Sequence, residues 1–185
     1  MPETLSPRYS AAAIALHWLS AALIVANLLL GISMVPLPLS PRKFHWYAWH
    51  KWIGVSVFLL AWARLLWRWA RPAPPFTGMA AWQMRAARWT HALLYLLMIA
   101  VPLSGWIYSS STGVQVVYLG LVPLPDLVAK DRVLAATLKV VHVALNVALV
   151  TLIAAHVAAA LKHHFIDRDN VLARMWPWLK KESIG

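Results

Sequence analysis

The chain has 185 residues, 61% of them hydrophobic and only 12% charged, with a mean hydropathy of +0.63; this lies outside the balance of a soluble domain and makes lipid its principal solvent. The length leaves room for one domain of about four spans of the ~20 residues that cross a hydrocarbon core, and none for a second soluble domain. A formal net charge of +11 would raise the question of nucleic acid in a soluble protein, but here the basic residues cluster between apolar segments, where they meet anionic headgroups; no nucleic-acid partner is expected. Cysteine is absent, which excludes disulfides, thiolate-held iron–sulfur clusters and haem attached through C-x-x-C-H.

No charged residue occurs between Ser10 and Ser40, and helix 1 is predicted over about 12–35, ended by Pro36 and Pro38. It is too long for a signal-peptide core and reads as a retained span. Helix 2 is predicted over about 46–69, with Lys51 and Arg64 placed to snorkel towards headgroups, and stops before the stiff linker Arg71-Pro72-Ala73-Pro74-Pro75. Helix 3 is predicted over about 88–110 with Pro102 as a kink. Val114 to Pro125 is apolar but broken by Gly and Pro, and is expected along the membrane surface. Helix 4 is predicted over about 138–163, uncharged from Val140 to Leu161, before a tail over 164–185. The whole of 1–185 reads as an all-α integral membrane four-helix bundle.

Counting Lys and Arg by side gives eleven with the termini and the 2–3 linker against six with the other loops. Both termini are therefore expected in the cytoplasm.

Eight histidines in so apolar a chain need an explanation, since ionisable groups in membranes are costly and face partners inside the bundle. His142 and His156 are 14 residues apart on helix 4, about 21 Å along the axis. Fourteen residues are four turns of a 3.5-residue period, so both rings face one interior seam. Depth then selects partners: His50 with His142 towards the outside, His17 with His156 towards the inside. Two imidazoles bracketing one site in each leaflet suit an iron porphyrin between helices. These four are the candidate axial ligands and metal (haem iron) ligands.

Glycines agree with this geometry. Gly31 lies 14 residues after His17, Gly105 lies 14 after His91, and Gly54 lies one turn inward from His50; a flat macrocycle needs such close backbone approach. For each glycine the competing reading is ordinary helix packing. His45, His163 and His164 read equally well as headgroup or loop contacts, and Met34, Met79 and Met98 as core. Proton pathways and metal transporters usually add intramembrane acids, which this chain lacks, and zinc wants four ligands at one point.

These elements together resemble the bacterial cytochrome b561 family over nearly the whole chain. They are Ala15-Leu16-His17-Trp18-Leu19, Trp49-His50-Lys51-Trp52-Ile53-Gly54, Ala63-Arg64-Leu65-Leu66-Trp67-Arg68, His91 to Tyr95, Pro102 to Gly105, His142, His156, His163-His164, and Asp169 to Met175. The resemblance implies a di-haem b cytochrome of the bacterial inner membrane, with two haem b groups, that exchanges electrons with ubiquinone. It further implies an oxidoreductase, a superoxide oxidase: superoxide gives up its electron on the periplasmic side and ubiquinone is reduced. The outer haem (His50, His142) would accept that electron and the inner haem (His17, His156) would share it.

Basic outer residues Arg42, Lys43, Lys130, Arg132 and Lys139 favour an anionic substrate, diluted by Asp126 and Asp131. Arg64 reaches the inner haem level, as a propionate partner or a helix anchor; His91, Arg88 and His163 are candidate quinone contacts. No catalytic side chain is assigned. The alternative is a cytochrome b subunit that takes electrons from a hydrogenase or formate dehydrogenase type protein partner. A non-haem transporter or structural subunit leaves the depth-matched histidines unexplained, and an ascorbate-dependent reductase needs more helices.

Overall fold

The computed structural model describes residues 9–74 and 79–176. Arg8, Lys180 and Lys181 of the charge count, Pro75 of the linker and the end of the tail lie outside the described residues. Four long helices dominate: α1 (Ala11–Met34), α2 (Pro41–Ala70), α3 (Ala81–Thr112) and α4 (Arg132–Lys162). All four are long and apolar enough to cross a membrane.

Helices α2, α3 and α4 begin five to seven residues earlier than hydropathy predicts, because capping rather than polarity sets a helix start. Ser40 accepts a hydrogen bond from the Lys43 amide, and Pro41 supplies a pre-set first position. At α3 the Gln83 side chain accepts from the Ala80 amide. At α4 the Asp131 carboxylate accepts from Val133 and Leu134. The extra turns carry charges and lie outside the apolar windows. Helix α3 passes Pro102 without a break and ends at Gly113, whose φ of 76° provides the left-handed cap that only glycine adopts freely.

Between α3 and α4, Val117–Tyr118 pairs antiparallel with Val122–Pro123 (β1 and β2). This hairpin leans on α2: Trp52 Nε1 donates to the Val117 carbonyl at 2.7 Å, and Ser56 Oγ meets the Tyr118 hydroxyl at 3.0 Å. At the other end of the bundle, α4 runs into one π-helical turn (His163–Asp167) and then folds back. Trp18 Nε1 donates to the Met175 carbonyl and its ring meets Trp176 edge-on, while Arg174 donates to the Pro74 carbonyl and lies over Tyr9. The segment therefore ties α1, the 2–3 linker and α4 together at the basic end of the bundle; the opposite end is the hairpin end.

The outside of the bundle is apolar, with Ile32, Trp69, Trp89 and Leu121 at least 70% exposed. Such a surface belongs in lipid. The interior core is Ile24, Val57, Ala61, Met98, Val101 and Leu149. Four of these, one per helix, stand seven residues from a histidine: Ile24 after His17, Val57 after His50, Met98 after His91, and Leu149 midway between His142 and His156. The apolar layer thus occupies the middle of the same seam that carries the histidines at both ends.

Candidate functional site

The seam resolves into three layers of four residues at seven-residue spacing. At the basic end the layer is His17, Arg64, His91 and His156. In the middle it is Ile24, Val57, Met98 and Leu149. Towards the hairpin it is Gly31, His50, Gly105 and His142. The structure brings together both histidine pairs selected by depth: the ring centres of His17 and His156 are 6.3 Å apart, and those of His50 and His142 are also 6.3 Å apart. The two pairs show the same 6.3 Å span. His17 with His156, and His50 with His142, would each hold a haem iron through their imidazole nitrogens, and the iron would supply one-electron exchange there.

At the hairpin-end layer the outer nitrogens are already committed. His50 Nδ1 faces the Asn27 carbonyl at 3.3 Å, which can only accept. His142 Nδ1 lies 2.8 Å from Ser104 Oγ, whose own proton goes to the Val101 carbonyl at 2.7 Å, so Ser104 also accepts. Both rings thereby carry their proton on Nδ1 and leave Nε2 free as a ligand, the arrangement typical of metal-bound histidine. Ser104 and Asn27 were not singled out from sequence, since neither residue type is unusual in a helix; only the position of Ser104 beside Gly105 hinted at it.

Glycine makes this seating possible. A Cβ on Gly31 would come within 3.2 Å of His50 Cε1, and one on Gly105 within 3.0 Å of His142 Cε1. What approaches these glycines is the imidazole ring itself. Gly54 departs from expectation: its side faces Asn27 Nδ2 at an ordinary 3.7 Å, so it serves contact between α1 and α2.

The basic-end layer opens on a cavity of about 870 Å³ between α1, α2, α3 and α4, at the upper end of small-molecule sites. His17, Arg64, His91, His156 and His163 all line it. His91 lies 5.3 Å from His156, ring centre to ring centre. Arg64 does not snorkel outward; it turns into the bundle, with Nη2 3.2 Å from His17 Nδ1 and the guanidinium over Tyr95. His163 Nδ1 is held by Asp169 at 2.6 Å and by Asp167 at 3.2 Å, and Lys162 also binds Asp167. Arg88 does not join them: it stands with Arg85, Trp89 and Ala92 on another face of α3, because the cavity side of that helix runs through Gln83, Ala87, His91 and Leu94, and Arg88 is one position, about 100°, round from Ala87. His45 bonds its own helix through Pro41. Met98 is buried core, Met34 is buried, and Met79 lines the cavity wall. Among the basic outer residues, Lys43 is consumed in holding the Val35 and Leu37 carbonyls of the α1–α2 turn.

The family model described as prokaryotic cytochrome b561 matches residues 8–178. This chain belongs to that family. The cytochrome is 35% identical over 170 residues to cytochrome b561 homolog 2 of Escherichia coli (strain K12), covering 91% of this chain and 90% of that one. It is 36% identical over 141 residues to cytochrome b561 homolog 1 of the same organism, at 74% of each chain. It is 31% identical over 176 residues to the probable superoxide oxidase CybB of Yersinia pestis, covering 92% and 96%. The cytochrome is thus a membrane haem protein of electron transfer, and the all-α membrane bundle expected from sequence stands.

Proposed function

We propose that the cytochrome holds two b haems, one between His50 and His142 and one between His17 and His156, and uses them to carry electrons from superoxide to ubiquinone across the bacterial inner membrane. The observation that carries the reading is the pair of equal 6.3 Å spans, one at each end of the bundle. The bound haems supply one-electron exchange. The chain supplies everything else. His50 and His142 present Nε2 because Asn27 and Ser104 fix their other nitrogen. Gly31 and Gly105 let those rings sit against neighbouring helices.

In the proposed orientation the basic end faces the cytoplasm and the hairpin end the periplasm. Arg42, Lys130, Arg132 and Lys139 there attract the superoxide anion. Two superoxide anions each release one electron and leave as dioxygen; ubiquinone takes up two electrons and two protons. His91 and His163, lining the basic-end cavity, are the proposed quinone contacts. The likeness to a probable superoxide oxidase supports the choice of donor.

The test is pyridine haemochrome analysis of the detergent-purified protein, followed by anaerobic addition of a superoxide source with ubiquinone. Two haems per chain and ubiquinol formed at the expense of superoxide are expected. Two haems without that reaction would move the donor to a partner protein, and a colourless protein would end the di-haem reading. His142→Ala is expected to lose one haem and keep the other; retention of both would overturn the pairing.

A further inference from the structure

Of the twelve seam positions in the three layers, one carries a permanent charge. On α2 the seam reads His50, Val57, Arg64, so a ligand at the hairpin end is replaced by a guanidinium at the basic end. That guanidinium lies 3.2 Å from His17 Nδ1, over the Tyr95 ring at 5.3 Å, and against the Met98 sulfur. Among the described residues, ion pairs join Lys162 and His163 to Asp167 and Asp169. No carboxylate in that set offsets Arg64.

We infer that Arg64 sets the direction of electron flow, by making the basic-end haem site the better electron acceptor of the two. The inference rests on the di-haem reading above. Adding an electron lowers the positive charge of a metal centre, and a fixed cation in a low-dielectric bundle favours that change. A guanidinium only donates and is not deprotonated in proteins. When His17 Nε2 binds metal and Nδ1 takes the proton, Arg64 must turn aside, but its charge stays in the same layer.

The hairpin-end layer is built the other way. There both Nδ1 protons go to oxygen acceptors, which makes each imidazole a stronger electron donor and favours the oxidised metal. The cation next in sequence to that layer, Lys51, follows His50 on α2 and holds none of the twelve seam positions, whereas Arg64 holds one. The two layers therefore pull in opposite senses, and an electron entering at the hairpin end runs downhill towards the cavity.

Potentiometric titration of the purified holoprotein, followed in the visible haem bands, tests this without any turnover assay. Wild type is expected to titrate in two waves, and His142→Ala to retain the wave of higher potential. Arg64→Gln should move that higher wave down and leave the lower one in place, while Arg64→Lys keeps it high. Retention of the lower wave in His142→Ala would overturn the inference, even if Arg64→Gln does not assemble. So would two unshifted waves in Arg64→Gln. Wild type lacking two haems would instead defeat the di-haem reading itself, a separate failure visible before any titration.

Discussion

The histidine rings of the hairpin-end layer are positioned by what they lack as much as by what they touch. Gly105 leaves 3.0 Å between a notional Cβ and His142 Cε1, closer than ordinary contact, and the opposing atom belongs to a ring already tethered through Ser104. Gly105→Val should therefore displace that ring and cost one haem per chain by pyridine haemochrome, with the basic-end haem retained. Gly54→Ala is the contrasting case. Its new methyl meets Asn27 Nδ2 at 3.7 Å, and haem content should remain at the wild-type level. The 14-residue arithmetic found Gly31 and Gly105 because it follows one seam; Gly54, four residues from His50, lies off that seam.

At the scale of the element, helix boundaries and helix faces obey different rules. The apolar windows located four spans, but the first turns of α2 and α4 are held by Ser40 and Asp131 in polar surroundings that hydropathy does not weigh. Asp131 receives two backbone amides, and Asp131→Ala should lower the stability of the holoprotein by about 1 kcal/mol, read as a fall in the thermal midpoint with haem content unchanged. The hairpin rests on Trp52 and Tyr118 in the same local way. Replacing both hydrogen bonds, as Trp52→Phe with Tyr118→Phe, removes about 0.5–1.5 kcal/mol each and should speed protease cleavage at the exposed tip residue Leu121. Unchanged cleavage would mean that the hairpin is held by apolar contact alone.

For the whole molecule, the charge asymmetry predicts an orientation that labelling can read directly, because the native chain has no cysteine. Leu121→Cys at the hairpin end should react with a membrane-impermeant maleimide added from the periplasm, and Ala80→Cys at the start of α3 should not. The reverse pattern would invert the proposed topology and place the superoxide site on the wrong side. The folded-back segment after α4 should matter at the same scale, since Trp18, Arg174 and Trp176 tie it to α1 and to the linker.

Hydropathy, charge and a seven-residue seam are properties of single helices, so the sequence alone determined the four spans, their membrane setting, and which histidines share a depth. Side-chain direction across helices is not such a property. That Arg64 turns inward onto His17 rather than outward to headgroups, that Arg88 misses the cavity while His163 lines it, and that Ser104 and the Asn27 carbonyl fix the ligand nitrogens were decided only by how the four helices rotate against one another. That rotation depends on the packing of the whole interior at once, with α1 on α2, α2 on α3 and α3 on α4, and no single segment encodes it.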